Sequence, residues 1–375
     1  MESIKVFYMV YSLTSGGIER YSINLYKYLD KNIVDMDFIT KLDRHEFFDD
    51  TLYELGGKKI AVSNGCKGSG LQYKWKFLKN AFVVVSGNYD IAYFNLSSPS
   101  AAFKYPLICR LKGIKKIVIH SHNSCEESVG MIKKLLNKFG RFYINHIATE
   151  KFACSDKAAA WMYGEKCAQQ RTYTYIKNGL EVDKYTFNQD IREKVRKSLD
   201  ISSDMLLIGH VGRFEPQKNH SFLLEFFEEA LQLKKNIVLI LVGVGRLQAD
   251  MERIVDERRI GGNVKFLGER SDINELYQAM DLFILPSLYE GLPVVGVEAQ
   301  AAGLKCLFAD TITSEVDITG NIQFLPLEKN AWRDAIVNFT HYERKNFRIE
   351  IERAGYDMKS TAVIVQSKFE SMVRE

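Results

Sequence analysis

The chain has 375 residues, of which 46% are hydrophobic and 26% charged, with six prolines and a net charge of +4. That length exceeds one ordinary core and suits two domains of about 150 to 200 residues each, so a cleft between two lobes is expected. The composition, free of low-complexity tracts and repeats, excludes a disordered, collagenous or solenoid chain.

The first residues, MESIKVFYMVYSL, have neither the basic start and long apolar core of a signal peptide nor the length of a membrane span; they read as a buried strand. This strand runs into SLTSGGIERYSINL, where Gly16 and Gly17 end it and open a helix, leaving bare amides where the helix dipole favours an anion. Any tight turn also wants glycine, so phosphate or sugar contact and a plain turn both stay open. Asp35 and Asp37 form a DxD, a pair able to hold a divalent cation. They sit at the start of an early strand, away from the carboxyl ends where ligands bind in parallel sheets, and read as structural.

Short apolar runs (IKVFYMV, DIAYFNL, KKIVIH, KFACS) then alternate with longer helical patterns. After residue 200 the alternation restarts with LLIGHVG, IVLILVG, VKFLG and LFILPS. It predicts an α/β chain of two doubly wound, Rossmann-like parallel sheets with helices on both faces. Strand signals lapse between residues 176 and 202, which places the boundary near residue 185.

The charge is divided as well. Residues 1–185 carry 27 Lys and Arg against 18 Asp and Glu, whereas residues 186–375 carry 24 against 29. The basic excess concentrates in LQYKWKFLKNAF (71–82), RLKGIKK (110–116) and MIKKLLNKFGRFYINH (131–146), where cations alternate with aromatic and aliphatic residues at helical spacing. Such segments fit a helix lying on an anionic membrane surface and equally an ordinary helix with a solvated basic face. No recognition motif for nucleic acid accompanies the charge.

KKIVIHSHNSCEES ends a strand in His120 and His122, which alternation puts on one side, with Asn123 beside them. No second cluster of His and acidic residues completes a metal site, so a polar or substrate-orienting role is expected. The six cysteines form no CxxC pair, which points to reduced thiols and a cytoplasmic protein.

In GHVGRFEPQKNH a strand ends at Gly212, and Arg213 and Lys218 occupy the loop before a helix. Two cations at the carboxyl end of a parallel strand are placed to neutralise a diphosphate, the arginine as a planar fork. LVGVGRLQADME begins like a dinucleotide fingerprint, but Gln248 stands where its third glycine belongs, and a plain glycine turn is the better reading. LPSLYEGLPVVGVEAQAAGL has only two charged residues, Glu290 and Glu298. A helix is expected from about Pro293 through Ala301, its free amides and partial positive charge at the end near Glu290. Carboxylates accept hydrogen bonds from vicinal hydroxyls, so the two glutamates read as two grips on one extended ligand with its diphosphate between them.

GGIER, HSHN, ACSDKAAAWMYG, IKNGLEVDKY, GRFEPQKNH, LVGVG, VKFLGERSDINELYQAMDLFILPS and EGLPVVGVEAQAAG, in that order over about residues 5 to 325, together resemble glycosyltransferase family 4. The nearest likeness is to bacterial exopolysaccharide and capsule glycosyltransferases of the EpsF type. The resemblance implies a GT-B fold and transfer from a nucleotide sugar, UDP by family frequency, with retention of configuration and without a cofactor or an essential metal. The acceptor it implies is a saccharide or a polyprenyl-linked sugar, at the inner face of the cell membrane. Its E-x7-E motif matches Glu290, on the donor sugar, and Glu298, on the ribose. Its Arg/Lys pair matches Arg213 and Lys218, on the diphosphate, and its glycine loop matches Gly16 and Gly17. Gly268 and Arg270 fall where the base is held, and Gly291, Leu292, Pro293 and Val294 where helix amides meet the diphosphate. Its first-lobe histidine matches His120 best, with His122 and Asn123 as further contacts. The C-terminal residues 356–375 resemble the helices that return to the first lobe, giving domains of 1–185 and 186–355. A sugar-nucleotide epimerase of the same architecture and a non-catalytic scaffold of a polysaccharide assembly complex are the alternatives.

Overall fold

A computed structural model of the chain describes residues 2–63, 79–85, 88–122 and 130–374. Asn123, Cys66, Cys125 and residues 71–78 of the first basic segment lie outside the described residues. The chain forms two units, Met1–Leu180 with Gly355–Glu375, and Glu181–Ala354. The short helix Val182–Tyr185, which sequence reading left with the first domain, belongs to the second.

The first unit is built on a sheet of β1 (Ile4–Tyr11), β2 (Val34–Thr40), β3 (Lys58–Ala61), β4 (Ile91–Leu96), β5 (Lys116–Ser121), β6 (Glu150–Ala153) and β7 (Thr174–Tyr175), in the order β3-β2-β1-β4-β5-β6-β7. The second sheet contains β8 (Leu206–Val211), β9 (Ile237–Val242), β10 (Val264–Gly268), β11 (Leu282–Leu285), β12 (Lys305–Ala309) and β13 (Ile322–Leu325), in the order β10-β9-β8-β11-β12-β13. The pairings are parallel. Central strands such as IAYFNL (β4), LLIGHV (β8) and IVLILV (β9) are buried along their whole length. Near-continuous apolar runs are what a parallel sheet covered on both faces requires.

Both sheets reverse direction at one place, between β1 and β4 in the first and between β8 and β11 in the second. In doubly wound sheets the ligand position is the crevice beyond the carboxyl ends of the strands at such a reversal. The expected fold is therefore the fold found.

The C-terminal helix Met358–Arg374 completes the first unit. Met358, Ala362, Val365, Phe369 and Met372 join Tyr8, Tyr93 and Leu25 in one buried cluster, on a face that the helix Gly17–Tyr28 also covers. Leu180 N–H donates to Tyr356 O at 2.8 Å and Met358 N–H to Leu180 O at 3.1 Å, so the chain's exit from this unit and its return are bonded to each other.

Candidate functional site

The second unit's reversal point gathers the charged residues singled out in the sequence. β8 ends at Val211, and the loop beyond it carries Arg213 and then a single 3-10 turn, Pro216–Lys218. β11 ends at Leu285, and its loop carries Glu290 to the helix Val294–Ala301. Because β8 and β11 are neighbours, residues 72 positions apart meet: Lys218 Nζ lies 2.6 Å from Glu290 Oε1. Gln217 Nε2 donates to Glu290 Oε2 at 3.2 Å and to Tyr289 O at 2.9 Å, and Leu288 N–H donates to Gln217 O at 2.8 Å, closing the two loops on each other. The Lys218 and Glu290 side chains retain only 15% and 9% of their exposure. Arg213, by contrast, is exposed, a cation held ready beside a cation already paired.

The helix Val294–Ala301 starts one residue later than expected, with Pro293 as its N-cap, no side chain bonded to its first amides, and Gly291 and Leu292 in the half-buried approach. Gly296 lets this helix lie against β12: a Cβ there would come within 2.6 Å of the Phe308 ring. Glu298 is 4% exposed, and its carboxylate accepts from the Tyr185 hydroxyl at 2.9 Å and the Tyr277 hydroxyl at 3.1 Å. Each of its oxygens keeps a second lone pair for a ligand hydroxyl.

Gly268 closes β10 at φ +65°, and its carbonyl accepts from Gly243 N–H at 2.8 Å. Arg270 is engaged side-on by Asp272, Nε to Oδ1 at 2.7 Å, which holds the Asp272 carboxyl below its ordinary range. The glycines of LVGVG are backbone spacers: a Cβ at Gly243 would lie 2.3 Å from Gly212 O, and one at Gly245 2.6 Å from Phe214 N. Under the Arg213–Lys218 loop, His210 donates through Nδ1 to Ile284 O at 3.0 Å, and His220 stacks on Phe214 with ring centroids 4.2 Å apart. Among the described residues, neither His220 ring nitrogen has a hydrogen-bond partner. Burial, then the nearby Lys218 charge, pushes His220 down to about 4, and burial holds His210 well below its usual value.

In the first unit, Gly16 caps the helix Gly17–Tyr28 at the carboxyl end of β1. Glu19 folds back over that start, its Oε1 accepting from Ser12 Oγ at 3.0 Å and its Oε2 lying 2.2 Å from where a Gly16 Cβ would be. A carboxylate thus lies close beside Gly16, the residue that opens the helix. A side chain at Gly17 would meet nothing within 4 Å.

His120 and His122 share one side of β5, their ring centroids 3.8 Å apart, and Tyr21 of the glycine-capped helix meets both edge-on at 5.3 and 5.2 Å. Exposure distinguishes the two, while His120 Nε2 has no hydrogen-bond partner among the described residues. His120 is fully buried, with Nδ1 2.6 Å from the Tyr93 hydroxyl, whereas His122 is half-buried and the outer of the two. Burial holds His120 well below its usual pKa and His122 at about 4, so both are neutral at pH 7. His122 Nε2 lies 2.8 Å from Asn95 Oδ1, and Asn95 Nδ2 is spent on Met9 O at 3.2 Å. Both ring nitrogens of His122 thus face amide oxygens, Nε2 that of Asn95 and Nδ1 the Asn178 Oδ1 at 2.8 Å, and a neutral ring can donate to only one of them. Among the described residues no group of three or more His, Cys, Asp or Glu side chains forms a metal cage, and Asp37 is engaged by the Tyr89 hydroxyl at 2.7 Å.

Residues 191–324 match the family of glycosyl transferases group 1, a span that lies wholly within the second unit and holds Arg213, Lys218, Gly268, Arg270, Glu290 and Glu298. These residues form a group 1 glycosyltransferase domain. The chain that carries this domain is 29% identical to the glycosyltransferase EpsF of Bacillus subtilis over 94% of its own length and 93% of the relative's. It is 24% identical to the Escherichia coli UDP-Gal:alpha-D-GlcNAc-diphosphoundecaprenol alpha-1,3-galactosyltransferase, over 82% of this chain and 79% of that one. In three dimensions it matches HepE of Anabaena in complex with UDP and glucose, with a TM-score of 0.72 and 19% identity over 99% of this chain and 97% of the other. The pneumococcal O-GlcNAc transferase GtfA in complex with UDP and GlcNAc matches with a TM-score of 0.72 and 10% identity, over 100% of each chain.

Tyr185, Tyr277, Gln217, Tyr21 and Asn95 line or brace these groups and were not singled out in the sequence. Tyr185 lies in the segment that reads as a domain break, and no local pattern ties it to a glutamate 113 positions away.

Proposed function

We propose that the chain is a retaining glycosyltransferase of exopolysaccharide or capsule synthesis, moving a sugar from a UDP-sugar to a saccharide or polyprenyl-linked acceptor without a metal. The observation that carries this reading is the meeting of Lys218 and Glu290, beside exposed Arg213, at the strand reversal of the group 1 domain. Charge develops on a departing nucleoside diphosphate, and preorganised donors in a water-poor site stabilise it most. Arg213, Lys218 and the first amides of the Val294–Ala301 helix are those donors. Glu290 then takes the sugar hydroxyls, Glu298 the ribose with Tyr185 and Tyr277 holding its carboxylate, and the base lies along the backbone at Gly268 and Arg270. His120, with His122 beside it, is the histidine proposed to lie near the transferred sugar. The relatives that act on diphosphoundecaprenol sugars, and the UDP complexes among the solved neighbours, support the choice of acceptor and donor.

The test is release of nucleoside diphosphate from a panel of UDP- and GDP-sugars with lipid-linked acceptors. Arg213→Ala should lower turnover at least a hundredfold, as loss of one transition-state donor does, about 2.7 kcal/mol or more, and Glu290→Ala, which removes the acceptor of the sugar hydroxyls and leaves Lys218 without its partner, should lower it as well. Unchanged turnover in both variants overturns the site. Conversion of the donor with no acceptor present would point to an epimerase instead.

A further inference from the structure

The three most exposed large apolar side chains among the described residues sit on one helix, Met131–Ile147: Met131 at 86%, Ile132 at 79% and Phe142 at 78%. Phe139, Leu135 and Leu136 follow at 58%, 55% and 46%. The residues this helix buries are Asn137, Gly140, Ile144 and Ile147. At about 100° per residue the helix divides into three sectors. One is the buried set. The next, about 140° wide, holds Met131, Phe142, Leu135, Phe139, Ile132 and Leu136, with Tyr143 and the exposed His146 in its C-terminal half, and has the width that normally faces a core. The third holds Lys134 and Lys138, both exposed.

The orientation is fixed by packing. A Cβ at Gly140 would lie 2.4 Å from Pro99 O, so the helix backbone rests directly on the Pro99–Phe103 turn. Asn137 Oδ1 accepts from Ser100 N–H at 3.1 Å, and Asn145 Nδ2 donates to Tyr163 O at 2.8 Å. The helix cannot roll its apolar stripe inward without breaking these. Phe103, 38% exposed and stacked on Tyr143 at 5.5 Å, extends the stripe beyond the helix.

We propose that this helix seats the first unit on an anionic lipid bilayer, with its apolar stripe at the headgroup–acyl boundary and Lys134 and Lys138 among the lipid phosphates. The helix contains no Asp or Glu, and lysines beside an apolar stripe can lay their stems along it while their ammonium groups reach the phosphates. A second copy is the poorer occupant, because an antiparallel pair of such stripes would bring the two lysine rows together and a parallel pair would set each row against the buried flank of the other helix. The proposal stands on the helix alone and is read without a sugar nucleotide, so it fails or holds separately from the transferase reading.

The experiment is co-sedimentation of the full chain with vesicles of phosphatidylcholine, with and without 30% phosphatidylglycerol. Binding is expected to the anionic vesicles and to weaken with salt. Lys134→Gln with Lys138→Gln should reduce it roughly 25-fold, about fivefold per cation. Phe139→Ser with Phe142→Ser should abolish it at every salt concentration, while the thermal transition of these exposed-site variants stays that of the parent. Leu135→Trp should show a blue-shifted emission on the vesicles. Absence of binding to anionic vesicles overturns the proposal. So does a dimer in sedimentation velocity that Phe139→Ser dissolves, because that result gives the stripe to a second copy.

Discussion

Gly296→Ala separates packing from propensity at the helix that carries Glu298. A methyl there would lie 2.6 Å from Phe308 Cζ and 2.7 Å from Cε2. Ordinary contact starts at 3.4 Å, so helix or ring must yield by about 0.8 Å in an interior packed like a crystal. Phe308 is fully buried between Phe283 and Phe324, at 6.1 and 6.3 Å, and has nowhere to go. Overpacking costs about 1–3 kcal/mol. Replacing glycine by alanine in a helix returns about 0.5–1 kcal/mol. The close approach is to ring carbons of a fully buried residue, so the upper half of the cost applies, and a net loss of about 1–2.5 kcal/mol is expected. Urea denaturation followed by circular dichroism reads this, with Gly17→Ala as the contrast. Nothing within 4 Å opposes a side chain at Gly17, so that variant should be neutral or slightly stabilised. If Gly296→Ala is as stable as the parent or more so, the argument that this glycine is there for close approach is wrong.

Three more outcomes follow from the same geometry. Lys218→Ala, Glu290→Ala and the double variant should give a coupling of about 1–3 kcal/mol in denaturation, since the pair is mostly desolvated; additive losses would show that the 2.6 Å contact carries no energy. Asn95→Asp puts an anion on His122 and should raise its pKa by one to three units from about 4, read by the proton NMR titration of its ring; an unmoved titration refutes the Nε2 contact. His220, near 6.5 when unfolded and about 4 when folded, contributes stability above pH 6.5 that is lost as pH falls toward 4, because the unfolded chain protonates first. The full loss is about 3 kcal/mol at order of magnitude, and His220→Gln should flatten the decline between pH 6.5 and 4 relative to the parent.

The alternation of LLIGHVG, IVLILVG and LFILPS with helical segments disclosed the second sheet because each strand is buried on both faces and so is apolar throughout. Arg213, Lys218 and Glu290 were legible for a different reason: ligands of a parallel sheet bind beyond the carboxyl ends of its strands, so charged residues in those loops are candidates for contact. What escaped is what depends on partners distant in sequence. Alternation put His120 and His122 on one side of β5, but only packing with Tyr93 and Tyr21 decides which of them is covered. A glycine pair before a helix leaves an anion site and a plain turn both open, and the pair alone does not show that the Glu19 carboxylate folds back beside Gly16. The apolar residues of Met131–Ile147 fitted a membrane-surface helix and an ordinary core-facing one equally in the sequence, since periodicity reports that a stripe exists and not what it faces.

The bond between Leu180 and the returning chain at Tyr356 and Met358 bears on how the molecule is made. Topologically the second unit is an insertion, and the helix that finishes the first unit is made only after the second unit. At about 5–20 residues per second, the intervening unit is synthesised over roughly 10–35 s, during which the older half waits with Tyr8, Leu25 and Tyr93 uncovered. The younger unit can close first. A premature stop near residue 354 would therefore spare the later-made unit and leave the earlier-made one unfinished, a product fit for chaperones and proteases.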